Sequence, residues 1–272
     1  MTARLPAQGP PAESAPPVPE DDAMRLAEAG LALLAGLAAS DVLRGRLRRA
    51  LPLLRTADAR TLAAPSLGAP FWSALIDAVT VQETRLFRTS GQMLALSALV
   101  FPGLAGLDRP ARLLSAGCAT GEEAWTLAVL ARAAALPAEV LGLDLCRPAL
   151  VAAGRGCYPP GPPDPMRDVP EDYRRFFTQD AEGLRPQPGG AVQMRFARQN
   201  LLEPLPPCEG FDVILCRNVL IYLNDAARLR VLRNLCDRLA PGGALLLGAT
   251  DLPPRALRLR PWQPDQPSLW RA

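Results

Sequence analysis

The sequence contains no histidine in its 272 residues. That removes the side chain most often used as a general base near neutral pH and the most common zinc ligand. It contains no lysine either, so all 30 basic residues are arginine. With alanine and proline plentiful throughout, this is a compositional bias of the whole chain, and arginine abundance argues nothing for nucleic acid. A formal charge of +3 is too small to require a polyanionic partner. Aromatic residues make up only 5%, so packing must rest on Leu, Ala and Val. The six cysteines, at 118, 146, 157, 208, 216 and 236, form no C-x-x-C pair and sit mostly in apolar runs. They read as small buried hydrophobes of a reducing compartment, the cytoplasm, not as a disulfide or metal framework. The apolar stretch at residues 24–40 would resemble a signal peptide if translation began at Met24. It is internal, carries Glu28 and is too short to span a bilayer, so an amphipathic helix in a small N-terminal domain is the expectation, with no stable membrane insertion.

What is present is ample for one large or two modest domains, with 49% hydrophobic and 21% charged residues. The organising stretch is A-R-L-L-S-A-G-C-A-T-G-E-E-A-W-T-L-A-V, residues 111–129. A short apolar run meets a turn bounded by Gly117 and Gly121, and Trp125, Leu127 and Ala128 then recur at helical spacing. That is strand, tight loop and helix, the opening unit of a nucleotide-binding α/β sheet. The glycines let backbone approach a ligand closely, and the free N–H groups of the helix start would face it. Glu122 and Glu123 in the first turn would compete with a pyrophosphate for that positive helix end. A cationic ligand such as S-adenosylmethionine, with a sulfonium and an amino group, fits better than NAD or ATP. The same carboxylates also serve simply to complement the helix dipole.

Taken in order, residues 1–20 are a Pro, Ala and Glu-rich tail expected to be disordered. Residues 41–54 place Arg44, Arg46, Arg48 and Arg49 among leucines at helical spacing, a basic face able to dock an acidic partner or simply to meet solvent. A linker at 64–70, a short helix at 71–78, the polar-aromatic T-V-Q-E-T-R-L-F-R-T at 80–89 and a helix at 91–100, ending before Pro102, follow. Residues 139–143 form a second strand ending at Asp144, where a carboxylate grips a ribose diol. A helix at 147–156, a proline-dense connection at 158–170, a short helix at 171–177, a Gly/Pro loop at 180–191 and a strand at 192–197 lead to Asn200-Leu201. Residues 213–216 read as a buried parallel strand, with Arg217-Asn218 at its carboxyl end and Tyr222 at the lip. A helix at 225–239, a P-G-G turn at 241–243, a strand at 244–247 and a closing hairpin of 257–259 with 269–270 complete the chain.

S-A-G-C-A-T-G-E-E, L-C-R-N-V-L-I-Y-L before a helix and P-G-G, and T-V-Q-E-T-R-L-F-R upstream together resemble the CheR family of chemotaxis-receptor glutamate O-methyltransferases, over roughly residues 25–272. The resemblance implies an α/β fold: a Rossmann-like S-adenosylmethionine-dependent methyltransferase sheet at 91–272 behind a small all-helical N-terminal domain at 21–90. It implies that Ala116, Gly117 and Glu122 line the methionine end of the cofactor, Asp144 the ribose, and Asn200, Leu201, Arg217 and Asn218 the adenosyl pocket. Gln82, Thr84 and Arg88 belong to the same site, with Thr84, Arg88 and Tyr222 facing the transferring methyl and no metal required. The basic helix implies contact between Arg44, Arg46, Arg48 and Arg49 and the cytoplasmic coiled coil of a methyl-accepting receptor. The sequence departs from the family pattern at Gln82 (usually Asn), at Cys146 (usually an acid) and at Ala249-Thr250-Asp251 (usually His-Ser-Glu). The segment where many members carry a small antiparallel sheet gripping a receptor's C-terminal peptide is short and broken by Pro186 and Pro188, so no such tethering is expected.

The chemistry suits a chain without histidine. A glutamate acceptor, with a reference pKa of about 4.3, is already a carboxylate at neutral pH and needs no general base. Two other functions fit the same pattern: a methyltransferase of this fold acting on a small molecule or RNA, and a non-catalytic signalling adaptor, which the three departures motivate.

Overall fold

The computed structural model describes residues 18–271. The expected N-terminal tail therefore lies, up to residue 17, outside the described residues. Helix α1, Glu20–Ala35, opens on Glu20, Asp21 and Asp22, whose charges complement the helix N-terminus, and buries Ala23, Ala27, Gly30, Leu31 and Ala35 at helical spacing. Gly30 is a packing requirement: a Cβ there would lie 2.0 Å from the Trp72 indole. That ring lies across α1 and donates Nε1–H to the Thr61 carbonyl at 2.9 Å. The basic stretch is split. Helix α2, Asp41–Arg49, is capped by Ser40, which accepts the Leu43 N–H, and Pro52 occupies the first turn of a separate α3, Leu51–Leu54. A short α4, Ala59–Ala63, capped by Asp58, was hidden between turn residues, and α5, Pro70–Val79, follows the linker. Leu31, Leu47, Leu54, Leu62, Trp72, Leu75 and Ile76 form a core of their own.

Helix α6, Ser90–Leu104, continues through Pro102 instead of ending before it. Proline forfeits the bond to the Ala98 carbonyl, but Ala98 is exposed and water can satisfy it. Then come β1 (Ala111–Ala116), α7 (Glu122–Ala133), β2 (Ala138–Asp144), α8 (Arg147–Arg155), α9 (Glu171–Arg174), β3 (Phe177–Gln179), β4 (Leu184–Pro186), β5 (Val192–Arg198), β6 (Phe211–Cys216), α10 (Asp225–Cys236), β7 (Leu239–Leu247), β8 (Arg260–Pro261) and β9 (Leu269–Arg271). Among the described residues the main sheet runs β5-β2-β1-β6-β7-β9-β8, with β5, β2, β1, β6 and β7 parallel and β9 and β8 antiparallel. The central strands β1 and β6 are almost wholly buried, which is why they read as continuous apolar runs.

Two local outcomes differ from the sequence expectation. The P-G-G at 241–243 sits inside β7, where Phe211 pairs with Leu239 but Val213 with Ala244, so the turn is accommodated as a bulge in a continuing strand. Residues 257–259 are not the first arm of the closing hairpin, because a turn of 3-10 helix ends at Leu257 and Arg258 is left-handed at φ 55°. The arm begins at Arg260, with Pro261 on the sheet edge where its missing N–H costs nothing. A small antiparallel pair, β3 with β4, does form in the Pro186 region, Phe177 opposite Pro186.

The N-terminal helices are fastened over the carboxyl ends of the strands. Ala38 N–H donates to the Tyr222 carbonyl and Asn224 N–H to the Gly36 carbonyl, both at 2.9 Å, around an antiparallel bridge between Leu37 and Leu223. Asn200 Nδ2 donates to the Leu34 carbonyl at 2.8 Å, and Arg147 pairs with Asp77 at 2.6 Å. A cavity is enclosed between the two parts.

Candidate active site

The loop after β1 sets the floor of this cavity. Gly117 has φ +81°, and a Cβ there would meet Val219 Cγ2 at 2.4 Å, so both conformation and contact demand glycine. At the end of β2, one Asp144 oxygen accepts the Ala119 N–H at 2.8 Å and the other the Cys146 N–H at 2.9 Å. The carboxylate thus braces the β1 loop against its own strand end, and each oxygen keeps a lone pair for a hydroxyl. Burial pushes the Asp144 carboxyl above its ordinary value, against the N–H bonds that hold it down.

The 80–89 segment forms a wall. The Thr126 hydroxyl donates to the Glu122 carbonyl at 2.7 Å and accepts the Phe87 N–H at 3.0 Å, pinning this segment to the first turn of α7. Arg46 Nη1 holds the Thr80 carbonyl at 2.9 Å, and Arg88 Nη1 donates to the Glu83 carbonyl at 2.7 Å. The Gln82 Oε1 is buried with no hydrogen-bond partner among the described residues. From the end of β6, Arg217 reaches Gln92 Oε1 at 3.1 Å, the Met93 sulfur at 3.0 Å, Glu123 at 3.4 Å and the Arg88 carbonyl. Asn218 is left-handed at φ 58°, a conformation asparagine tolerates better than most residues.

Of the residues singled out in the sequence, Gln82, Thr84, Arg88, Gly117, Asp144, Asn200, Leu201, Arg217, Asn218 and Tyr222 all line this one cavity. Two do not. Ala116 is fully buried in β1 beneath the floor. Glu122 turns aside to accept the Thr120 hydroxyl at 2.7 Å, and Glu123 takes the place in the wall. Glu123 accepts the Ser115 hydroxyl at 2.8 Å, and burial raises its carboxyl while Arg217 pulls it down. The pair of acids in G-E-E signalled that a carboxylate would be there, but only the helix phase selects the second. Leu145 and Val219, also in the wall, carried no sequence signal beyond adjacency to Asp144 and Asn218. The basic residues lie off the cavity and do not act as one face: Arg44 pairs with Glu28 at 3.2 Å and Arg46 holds Thr80, while Arg48 and Arg49 are exposed with no ion pair among the described residues.

The wall fits S-adenosylmethionine. Asp144 offers two acceptors for a diol, Gln82 Oε1 is an orphaned buried acceptor, and Glu123 supplies negative charge for a cationic end. Among the described residues no cluster of three or more Cys, Asp or Glu side chains could hold a metal, and no helix is long and apolar enough to cross a membrane. Cys118, Cys146 and Cys216 are buried, Cys208 is exposed, and none is bonded to another among the described residues.

A parallel sheet closed by antiparallel strands, with a glycine loop after β1 and a braced carboxylate after β2, defines an S-adenosylmethionine-dependent methyltransferase. The family follows from comparison with known proteins. The model for the "CheR methyltransferase, SAM binding domain" matches residues 82–257, and the chain belongs to that family. It is 32% identical over 197 residues to chemotaxis protein methyltransferase 1 of Vibrio cholerae, covering 65% of this chain and 67% of the relative. It is 36% identical over 186 residues to the probable biofilm formation methyltransferase WspC of Pseudomonas putida, covering 65% of this chain and 43% of that longer protein. Among solved structures it is similar to the N-methyltransferase NodS of Bradyrhizobium japonicum WM9 in complex with S-adenosyl-L-homocysteine, at 20% identity and TM-score 0.36, covering 61% of this chain and 63% of that one.

Proposed function

We propose that this chain methylates glutamate side chains on the cytoplasmic coiled coil of a methyl-accepting signalling receptor, forming glutamyl methyl esters and S-adenosylhomocysteine. The carrying observation is that the two buried carboxylates of the cavity wall are already engaged. Asp144 is bound by two N–H groups, and Glu123 by Ser115 and Arg217. The chain has no histidine or lysine, and the remaining wall carboxylate, Glu83, is turned largely to solvent beside Arg88, so the wall suits an acceptor that arrives ionised and needs no base.

S-adenosylmethionine supplies an electrophilic methyl group on a sulfonium. The chain's own residues supply alignment and exclusion of water. Asp144 anchors the ribose, and Gln82, Glu123, Arg217 and Asn218 the remaining polar edges. Arg88 is held by Glu83 through a carbonyl, leaving the rest of its guanidinium to orient an incoming carboxylate by charge-assisted hydrogen bonds. Tyr222, fixed through its own carbonyl by Ala38, steers it. Exposed Arg48 and Arg49 are the partner-facing part of the basic helix, and Arg44 and Arg46 support it. The helical part at 21–90 recognises the receptor, the part at 91–272 carries the transfer, and the chain works in the cytoplasm. Relatives named for chemotaxis and for biofilm formation both support a receptor-array role.

The test is methyl-labelled S-adenosylmethionine with a purified receptor cytoplasmic fragment. Label released by base as methanol is the expected result. Label that resists base would exclude an ester, and donor binding without any transfer would leave an adaptor.

A further inference from the structure

A second, open cleft adjoins the cavity, lined by Arg85, Thr89, Ser90, Leu94, Arg167 and Asp168. Arg85 belongs to both, since it also lines the first cavity. We propose that this cleft receives an acidic helical segment of the acceptor polypeptide flanking the methylated side chain, with Arg85 and Arg167 as its specificity determinants. Asp168 is the carboxylate that the segment displaces. This rests on the reading that the acceptor is a glutamate-bearing polypeptide, and goes beyond it by saying where the rest of the acceptor lies.

Charge and exposure support the assignment. Arg85 Nε donates to Asp168, which comes from the proline-dense connection 83 residues away in sequence. Both side chains remain about 30% exposed, at 31% and 30%. A pair open to water on one side can exchange partners, with Asp168 turning to solvent as another carboxylate takes its place. Arg167 is exposed, its guanidinium reaches only the Asp164 carbonyl at 3.4 Å, and it has no acidic partner among the described residues. The Thr89 and Ser90 hydroxyls make no hydrogen bond among the described residues, and Thr89 is held left-handed at φ 56°. The cleft therefore presents two guanidiniums against one exchangeable carboxylate, plus two free hydroxyls. It opens beside the same turn that carries Thr84 and Arg88, where the Arg88 N–H donates to the Arg85 carbonyl at 3.3 Å.

The experiment is fluorescence anisotropy of a labelled helical peptide with glutamates at every fourth position, and of its all-glutamine counterpart, against the full chain. The wild type should bind the glutamate peptide about tenfold more tightly than the glutamine one, with salt weakening the difference. D168N should tighten glutamate-peptide binding several-fold, while R167A and R85M each weaken it about tenfold and R85K restores part of the loss. Affinity of D168N and R167A for S-adenosylmethionine should stay within about twofold of wild type, which separates a recognition role from a merely structural one. If the pair only staples the loop, D168N binds no tighter. That result, equal binding of the two peptides, or no binding by wild type and D168N alike, overturns the proposal. Methanol release is measured in parallel. Charge-dependent peptide binding without ester formation sinks the methyltransfer reading and leaves the cleft assignment standing; ester formation indifferent to these charges does the reverse.

Discussion

Arg217 Nη1 and Glu123 Oε2 meet at 3.4 Å in the cavity wall, with 2% and 13% of their side chains exposed. The contact joins the end of β6 to the first turn of α7, and the same guanidinium holds the Arg88 carbonyl and so fixes the 80–89 segment. Burial lowers the Arg217 pKa from its ordinary value against the pull of Glu123. The pair is a geometric device more than a source of stability, because the cost of drying both charges offsets much of their attraction.

Breaking it from one side should be costly. Arg217→Met leaves Glu123 buried without its counter-charge, and urea unfolding should show a loss of about 3–5 kcal/mol. Combining it with Glu123→Leu should recover part of that stability without recovering S-adenosylmethionine binding, since the wall is then apolar. Equal losses in single and double variants would mean the two residues act separately.

The buried carboxyls give a pH signature. Glu122, Glu123 and Asp144 are all raised by burial, so their folded values lie above their unfolded ones. Stability from this source is fully present below the unfolded values, near about pH 4, and is lost as pH rises through the folded values. Diol hydroxyls donate to ionised Asp144, so S-adenosylmethionine affinity changes the opposite way and rises across that window. Thermal melts taken upward from the unfolded values, near about pH 4, should show the ligand-induced shift growing as Asp144 ionises, and Asp144→Asn should flatten that growth. A ligand-induced shift identical in wild type and Asp144→Asn at every pH would mean that Asp144 is not the ribose anchor.

Gly117→Ala should abolish S-adenosylmethionine binding and destabilise the chain by about 1–3 kcal/mol, through a strained positive φ and a clash with Val219. Val219→Ala added to it should relieve the clash but not the backbone, giving partial recovery in a calorimetric titration. Full recovery would assign the whole requirement to contact.

How much of this was legible follows from where the information resides. The strand, glycine loop and helix at 111–133 are local: apolar runs, left-handed glycines and helical spacing write them directly into the sequence. Asp144 and Arg217-Asn218 could be placed because strand ends in such a sheet share one edge. Helix phase is finer than composition, so Glu122 and Glu123 were indistinguishable until α7 fixed which of them faces Arg217. Pro102 and the P-G-G at 241–243 looked like breaks because sequence does not show that the Ala98 carbonyl is open to water or that β7 bulges. The resemblance implied that the N-terminal part shares the site, but not the contacts that fasten it, because several of them run through backbone groups of Leu34, Gly36, Ala38, Tyr222 and Asn224 that carry no residue-type signal.

The basic helix divides by contact. Arg48→Glu with Arg49→Glu should raise KM for a receptor fragment about tenfold and leave S-adenosylmethionine affinity unchanged, because neither residue touches the cavity. Arg46→Ala should instead weaken S-adenosylmethionine binding, by releasing the Thr80 carbonyl that shapes the wall. Calorimetry and initial rates separate the two. Matching effects in both assays would mean that the helix acts as one surface.

Arg88 decides how the transfer is guided. A guanidinium that pairs strongly with the acceptor carboxylate stabilises the ground state more than the transition state, because the carboxylate loses its charge as the methyl arrives. Its value then lies in orientation. Its tie to the Glu83 carbonyl, with the Glu83 carboxylate a further 3.9 Å neighbour, leaves it restrained without being saturated. Arg88→Ala should therefore lower kcat moderately, by about 10- to 1000-fold, and Arg88→Lys should restore charge but only part of the rate, lacking the planar fork. A drop of more than about four orders of magnitude with both ligands still bound would mean that Arg88 contacts the transition state itself and that electrostatics, not alignment, carries this step.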